Sequence, residues 1–431
     1  MNIRIFILMF LFISASYIIY GQNIDIKAVE EIFEEYEEIC ERDNGNLWGL
    51  SLYGPLMFVE RESRIIIANT ADKYGVLKRM NGVYQGTLPE NRGIANTTFN
   101  WNGMQWTMVM WPPSDNIFER NQLIFHESFH SVQVKQGIFL VNTENPHLDT
   151  KEGRIWLQLE WLALLDALNT IENEESIQDA LIFRQYRRSL FQNSDSTENA
   201  LELLEGIPEY TGIKLSGRDS LETLEYFSDM VEVARNRSSF YRTFPYTSGP
   251  LYCYLLDRKN VNWRNSIKEI DDLGKYLRID YSIQLPANLK LEAEKRIRKY
   301  KGEELIAQEN ELEKEINIKK ENIILTFVQG SILSLPIKKP NMEFSPLNMI
   351  AINELGTYYK TLRIVDVWGI LEVDNGAFIN KNWSAVHVIS SEIVNDDGRI
   401  SGLGWQLKLN EGWEMKPGDQ TGNFHLFDQR K

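Results

Sequence analysis

Two histidines four residues apart flank a glutamate in the segment His126-Glu127-Ser128-Phe129-His130. On an α-helix, side chains four positions apart lie one above the other, so both imidazoles can bind one metal ion from the same face. Zinc accepts imidazole nitrogen at about 2.0–2.1 Å, and its bound water ionises at about pH 7. Glu127 would then be the general base that takes the proton as this water attacks a peptide carbonyl. The segment predicts a Zn²⁺-dependent hydrolase whose substrate is a peptide or protein.

The motif is informative because the whole chain contains only 5 histidines. The competing interpretation is that His126 and His130 are ordinary core or surface residues of an amphipathic helix. A strand pattern before the helix and an export signal at the N-terminus favour the metal site over that interpretation. We therefore expect His126 and His130 to be metal ligands.

A third protein ligand is needed, and two regions downstream bear on it. Where metzincins place a glycine and a third histidine, this chain has Gln133 and Gln136, which excludes that subfamily. Further along, the segment Leu204–Tyr210 (LEGIPEY) resembles the Glu-Gly-x-Ala-Glu-Tyr element of the gluzincins, peptidase-MA-like zinc metallopeptidases that include aminopeptidase-N-like enzymes. Pro208 stands where alanine is usual.

This resemblance covers roughly residues 97–257 and implies Glu205 as the third zinc ligand. It also implies that Glu209, one helical turn on, either supports the ligands or faces the substrate. The interval after His130 is longer than in the aminopeptidases, so Glu160 stays open as an alternative ligand. Without a metal role, Glu160 would form an ion pair with Arg154 or Arg184 in a helical bundle.

Carbonyl hydrolysis also needs a donor for the developing oxyanion. The stretch from Phe244 to Pro250 resembles the Tyr-x-Lys-Gly stretch of gluzincins, with Ser248 replacing the lysine, and this resemblance implies Tyr246 as the donor. Tyr210 and His147 are alternatives. With 18 tyrosines in the chain, a role in an aromatic core is the competing interpretation for each tyrosine.

The elements that must position these residues can be traced from the sequence pattern. Asn116 followed by Glu119 is typical of a helix N-terminus, and apolar residues at helical spacing then continue to Gly137. Alternation from Thr97 to Trp111 predicts a strand before this helix. Its part from Gln105 to Trp111 is predicted as the edge strand that holds an extended peptide, although an ordinary buried strand fits the same alternation.

The sequence predicts an α+β protein, and its pattern divides the whole chain into four regions. They are a signal peptide at 1–21, a zincin-like catalytic domain at 22–285 with a mostly helical lower half, a charged helical connector at 286–322 and a small β-rich C-terminal module at 323–431. In the catalytic domain, helices are predicted over 26–41, 152–169, 177–191, 199–210, 220–235 and 252–257.

Composition and the N-terminus restrict location and partners. The chain carries 61 acidic and 46 basic residues and shows no basic patch, so no nucleic-acid partner is expected. A basic start and an apolar run to Tyr20 predict a secreted, periplasmic or cell-envelope protein without stable membrane insertion after cleavage; an uncleaved anchor is the alternative. Cys40 and Cys253 are expected to be separate thiols rather than a bridge.

Two other functions fit the same residues. The first is an exported binding protein whose zinc site is structural or catalytically silent, and the second is a metal-dependent hydrolase acting on a non-peptide bond. The presence of Glu127 argues against the first. A structural zinc site also normally fills all four positions with protein ligands, whereas this site offers two histidines and one glutamate.

Overall fold

The computed structural model describes residues 24–138, 141–170, 173–268, 271–345, 349–352, 354–396 and 399–430. The predicted signal peptide at 1–21 lies outside these residues. The predicted α+β class is confirmed, with a mainly helical N-terminal half and a β-rich C-terminal region. The chain forms two compact units, which we call the N-terminal unit (described residues to Leu88, with Asn96–Glu311) and the C-terminal unit (Pro89–Ala95, with Leu312 onward). The domain boundaries at 285 and 322 stay predictions.

The N-terminal unit begins with helix α1 (Ile26–Asp43) and continues into a six-stranded sheet. The strands of this sheet are, in chain order, β1 (Leu56–Glu60), β2 (Ile65–Ala68), β3 (Lys78–Met80), β4 (Val83–Thr87), β5 (Thr97–Trp101) and β6 (Met104–Trp111). Their spatial order is β3-β4-β2-β1-β6-β5, and only the β1–β6 pair is parallel.

Of the two interpretations of Gln105–Trp111, the edge strand is wrong and the ordinary buried strand is confirmed. This segment belongs to β6, which pairs with β1 on one side and with β5 on the other. The turn at Asn102-Gly103 folds β5 back onto β6, so β5 occupies the edge of the sheet instead. Alternating apolar residues are typical of both positions, and the deciding feature was the short hairpin before the strand.

Ten α-helices follow the sheet among the residues that the structure describes in the N-terminal unit. They are α2 (Ile117–Val132), α3 (Lys151–Asn169), α4 (Glu174–Ser189), α5 (Ser194–Leu201), α6 (Ile207–Leu215), α7 (Ser220–Arg235), α8 (Pro245–Lys259), α9 (Trp263–Ser266), α10 (Leu273–Asp280) and α11 (Leu289–Arg296). A π-helical turn at Glu202–Gly206 joins α5 to α6. The helices predicted from periodicity are therefore confirmed, although their ends differ; α8, for example, begins at Pro245 rather than at Tyr252.

Helix α2 is the central element of the N-terminal unit. It packs against β5, β6 and α6, and aromatic rings cover its remaining sides. The Phe129 ring lies 4.8 Å from Trp48, and the Phe125 ring lies 5.4 Å from Tyr36 of α1 (centroid distances). A helix enclosed in this way holds its polar residues in an environment of low dielectric constant, where their electrostatic interactions are strong.

The last helix, α12 (Gly302–Ile323), spans the division between the units at Glu311. The C-terminal unit then contains thirteen strands within the described residues, namely β7 (Ile332–Pro336), β8 (Asn341–Phe344), β9 (Met349–Ile352), β10 (Gly356–Tyr359), β11 (Leu362–Asp366), β12 (Gly369–Val373), β13 (Ala377–Asn380), β14 (Ala385–Ile389), β15 (Val394–Asp396), β16 (Arg399–Gly402), β17 (Trp405–Leu409), β18 (Trp413–Pro417) and β19 (Phe424–Asp428). They form a seven-stranded sheet, β18-β19-β7-β14-β13-β10-β9, and a six-stranded sheet, β15-β16-β17-β12-β11-β8.

Two further sequence expectations concern cysteines and membrane spans. Cys40 and Cys253 are both buried free thiols, as expected from their spacing. No helix among the described residues combines the length and apolar character that a membrane crossing requires.

Candidate metal site

The side chains of His126, His130 and Glu205 converge in the interior of the N-terminal unit. The two Nε2 atoms lie 3.3 Å apart, and Oε2 of Glu205 lies 3.6 Å from Nε2 of His126 and 3.7 Å from Nε2 of His130. Three potential ligand atoms therefore face a common point, a grouping able to hold a metal ion. His126 and Glu205 are buried, and His130 is partly buried.

Local sequence explains why α2 presents the two histidines. The Asn116 side chain caps the helix by accepting hydrogen bonds from the backbone N–H groups of Phe118 and Glu119. The predicted capping box is only half formed, because the Glu119 carboxylate accepts from the Ser114 hydroxyl instead. The helix then runs without interruption through residue 130, so His126 and His130 share one face.

Glu205 reaches the histidines because the chain is distorted and closely packed around it. It lies in the π-helical turn at Glu202–Gly206, a feature found frequently at functional sites. Gly206 approaches Gly249 of α8 so closely that a Cβ on Gly249 would lie 2.4 Å from Cα of Gly206. The glycine pair allows α8 and the π-helical turn to come together. Glycine here serves backbone contact rather than flexibility.

Hydrogen bonds to the far side of each imidazole fix the direction of its metal-facing nitrogen. Nδ1 of His126 lies 2.8 Å from Oε2 of Glu209 and donates to it, so Nε2 is the nitrogen that faces a metal ion. Nδ1 of His130 lies 2.8 Å from Oε1 of Gln133. The amide nitrogen of Gln133 donates to the carbonyls of Leu203 and Leu204, so its oxygen is the acceptor and His130 is likewise protonated on Nδ1.

The site is electrostatically unbalanced. Burial alone would lower the pKa of His126, but its hydrogen bonds to Glu205 and Glu209 raise that pKa to about 10. Burial alone would raise the pKa of Glu205, but the two histidines hold it well below its usual range. Both pKa shifts have the same cause, because the two facing Nε2 atoms and the Glu205 carboxylate favour one positive charge between them.

Glu127 lies beside the two histidines on α2, as the motif requires. Its side chain is buried and makes no hydrogen bond within the described residues, while its backbone carbonyl accepts from the Thr98 hydroxyl of β5. Burial raises the pKa of the Glu127 carboxyl, and the charges of His126 and His130 oppose that rise. A carboxylate with a raised pKa accepts a proton more readily than an exposed one.

Tyr246, at the start of α8, also lies at the site. Its hydroxyl donates to Oε2 of Glu205 at 2.7 Å, and its ring stacks on the His126 imidazole with centroids 5.7 Å apart. Burial, with the adjacent Glu205 carboxylate, raises the pKa of Tyr246 well above its usual value. The hydroxyl therefore remains a hydrogen-bond donor throughout the neutral range.

Three other residues singled out from the sequence make their contacts elsewhere. Glu160 is buried between Arg184 and Arg187 and accepts from the Tyr252 hydroxyl; Arg154, its other expected partner, instead pairs with Glu309. His147 contacts Glu198 at 2.8 Å, and the Tyr210 hydroxyl donates to Asp257 at 2.7 Å. None of these partners belongs to the group around Glu205.

Two glutamines at the site were not anticipated as functional. Gln133 supports His130, and the amide of Gln122 donates to Oε1 of Glu209 at 2.6 Å while its own oxygen accepts from Arg218 at 2.8 Å. Their spacing from His130 and His126 along α2 was a usable signal, because residues three or four apart on a helix are neighbours. Glutamine alone carries no local sign of burial, so the sequence did not distinguish them from surface residues.

Comparisons of the chain with models of known protein families, with curated protein sequences and with solved structures gave no match. The chemistry of the site therefore has to be argued from its own geometry.

Proposed function

We propose that the protein is a zinc-dependent metallopeptidase, with His126, His130 and Glu205 as ligands and Glu127 as the general base. The observation that carries this proposal is the convergence of two imidazole nitrogens and one carboxylate oxygen, separated by 3.3–3.7 Å, next to a further buried carboxylate. The resemblance of the HESFH and EGIPEY segments to gluzincins supports the same chemistry.

The donor atoms fit zinc in type and spacing. Two ligands held at about 2.0–2.1 Å in tetrahedral geometry lie roughly 3.3–3.4 Å apart, close to the separations in this group. The set supplies three protein ligands and leaves a fourth position, which is the pattern of a catalytic rather than a structural zinc site. Bound zinc would supply Lewis acidity and a water that ionises at about pH 7.

Glu127 is suited to proton transfer because its carboxylate has no competing partner. Burial raises its proton affinity, and the helix fixes it one residue from His126. It would accept the proton of the attacking water and later deliver a proton to the leaving amine. The positions of His126 and His130 are held by Glu209 and Gln133 respectively, so the ligands need not reorganise during the reaction.

Tyr246 is our candidate for stabilising the oxyanion. Its neutral hydroxyl already donates to Glu205, which is the carboxylate that would bind the metal. A donor held in this way could instead point at the negative charge that develops on the substrate carbonyl. We further propose an exported location, supported by the basic and apolar pattern of residues 1–21.

The experiment combines metal analysis with a peptide-library assay on wild type, Glu127→Gln and the control Glu225→Gln, which makes the same change on the exposed surface of α7. We expect bound zinc in all three and a loss of turnover by roughly 10²–10⁴-fold in Glu127→Gln alone. Zinc without Glu127-dependent cleavage of any peptide would contradict the proposal. It would favour the exported binding protein with a silent zinc site.

A further inference from the structure

A rigid loop between α7 and α8 carries two arginines toward the candidate site. Residues 236–244 are anchored by the half-buried carboxylate of Asp149, which accepts from the backbone N–H groups of Phe240 and Tyr241 and from the Ser239 hydroxyl. Thr243 closes the loop internally by donating its hydroxyl to the Ser239 carbonyl at 2.8 Å. Side chains on a loop held this firmly have defined positions, as a binding site requires.

Arg242, on this loop, is a buried cation for which the structure describes no hydrogen-bond or ion-pair partner. Only 5% of its surface is exposed, yet within the described part of the chain its guanidinium makes no hydrogen bond or ion pair. None of its nitrogen atoms is among the fully buried atoms that lack a partner, so they retain access to solvent. A guanidinium is normally buried only with a matching acceptor, which makes this one exceptional.

Arg242 is close to the proposed catalytic group. Its positive charge acts on Tyr246, whose hydroxyl contacts Glu205. Arg237, earlier in the loop, adds a second cation whose charge acts on Glu209 and Tyr246. Within the described residues the Arg237 side chain makes one hydrogen bond, to the Thr243 carbonyl, which is long at 3.4 Å. Burial lowers the pKa of Arg237. Arg242 lies four residues before Tyr246, and the N–H groups of Phe244 and Ser248 donate to the carbonyls of Phe240 and Phe244, so one helical turn separates Arg242 from Tyr246. Arg242 therefore adjoins the Tyr246 end of the site, and both arginines have unused hydrogen-bonding capacity.

The carboxylates of the site do not neutralise these cations. Both oxygens of Glu209 are taken, one by His126 and one by Gln122. Oε2 of Glu205 faces the two histidines and Tyr246. Among the described residues no carboxylate pairs with Arg242, so an acceptor on a bound ligand can complete it.

We propose that Arg242, supported by Arg237, binds a carboxylate group of the substrate next to the bond that is cleaved. This inference rests on the proposed peptidase function and specifies its substrate class. A guanidinium matches a carboxylate with two parallel hydrogen bonds, and such charge-assisted pairs are strong where water is excluded. The carboxylate has two sources in peptides: a free C-terminus, or an aspartate or glutamate side chain.

The test measures binding rather than turnover, so that it does not depend on catalysis. Full-length, metal-free protein is titrated calorimetrically with two pairs of peptides. The first pair, acetyl-Ala-Phe as free acid and as amide, tests the C-terminal carboxylate. The second pair, acetyl-Ala-Glu-Ala amide and acetyl-Ala-Gln-Ala amide, tests the side-chain carboxylate. The proteins compared are wild type, Arg242→Gln, Arg242→Lys and the control Arg278→Gln, which removes the same charge from the exposed surface of α10.

We expect wild type and Arg278→Gln to bind the carboxylate member of one pair roughly ten- to a hundredfold more tightly than its neutral counterpart. Arg242→Gln should bind both members alike, and Arg242→Lys should recover part of the difference. Thermal unfolding of Arg242→Gln should match that of wild type, because Arg242 makes no hydrogen bond or ion pair within the described residues. The pair that discriminates identifies the source of the carboxylate.

Three results would overturn the proposal: no discrimination by wild type in either pair, discrimination that survives in Arg242→Gln, or an equal loss of both members in that variant. Failure of the peptidase function is recognised separately, as absent Glu127-dependent cleavage while carboxylate discrimination persists.

Discussion

The N-terminal unit contains two buried groups of charged residues that differ in how their charges are balanced. In the ion-pair cluster, three guanidiniums face three carboxylates, and almost every charged atom has an opposite partner; its members are Glu160, Arg184, Arg187, Arg188, Glu198 and Glu202. Arg184 contacts Glu160 at 3.0 Å, and Arg187 contacts Glu198 at 2.7 Å. Nε of Arg184 is the exception. In the candidate metal site, by contrast, two imidazole nitrogens and one carboxylate oxygen, from His126, His130 and Glu205, converge as potential ligands of one metal ion.

Buried groups of charged residues can therefore be distinguished by whether their charges are balanced within the protein. A balanced cluster satisfies its own desolvation cost and therefore needs no ligand to explain it. At the metal site the raised pKa of His126 and the lowered pKa of Glu205 show that a positive charge is favoured between them, and either a proton or a metal ion can supply it. Arg242 shows the opposite imbalance, because it is a buried cation for which the described residues supply no anion.

Breaking the balanced cluster should give the largest effect, and on stability. In Glu160→Ala, two buried guanidiniums and the Tyr252 hydroxyl lose their acceptor. We expect the free energy of unfolding to fall by about 3–5 kcal/mol, measured by urea denaturation. Zinc content of the folded protein should not change. A stable variant that has lost its zinc would show that the two groups have been assigned the wrong roles.

A matched pair of tyrosines on α8 sharpens the contrast. Tyr246 donates to Glu205 and Tyr252 donates to Glu160, each through its hydroxyl. We expect Tyr246→Phe to lower kcat by roughly 10²–10³-fold, the cost of losing an oxyanion donor, with little change in stability. Tyr252→Phe should instead lower the free energy of unfolding by about 1–3 kcal/mol and leave kcat unchanged. Equal kinetic effects of the two changes would remove the proposed role of Tyr246.

Removing the support of one ligand should have a smaller effect, on metal affinity. Glu209 holds His126 through Nδ1, and Glu209→Gln weakens that contact while preserving its shape. We expect the Kd for zinc, measured by competition with a chromophoric chelator, to rise by about 10–100-fold. Glu202→Gln, three residues from Glu205 but paired with Arg184, is the comparison. Its zinc affinity should equal that of wild type.

The pH dependence of stability is the finest test of the balanced cluster. Burial alone would raise the pKa of Glu198, but Arg187 and Arg188 hold it well below its usual value. Because the folded pKa is depressed, this contribution is complete above the unfolded value of about 4.3 and is lost as pH falls through the folded pKa. One such group gives a slope of at most about 1.4 kcal/mol per pH unit. Urea unfolding between about pH 5 and pH 3 should show a shallower slope in Glu198→Gln. An unchanged slope would mean that Glu198 is not ionised in the folded state.

The parts of the fold and site that local patterns encode were predictable from the sequence. Periodicity and the Asn116 cap predicted α2, and the HESFH spacing placed both histidines on one face. Glu205 was predicted through a resemblance rather than through any local rule, since a π-helical turn has no sequence signature. The interior position of β6 and the unpaired state of Arg242 depend on contacts between distant segments. For β6, the Asn102-Gly103 turn was a local signal of the pairing with β5, whereas its pairing with β1 has no local signal.

The central claim is that an unbalanced set of donors at His126, His130 and Glu205 binds one metal ion. Zinc per chain, measured by mass spectrometry after dialysis against a weak chelator, tests it directly with Glu205→Ala and Glu160→Ala side by side. We expect one zinc ion in wild type and in Glu160→Ala, and none in Glu205→Ala. A metal-free wild type, or loss of zinc in Glu160→Ala alone, would contradict the account.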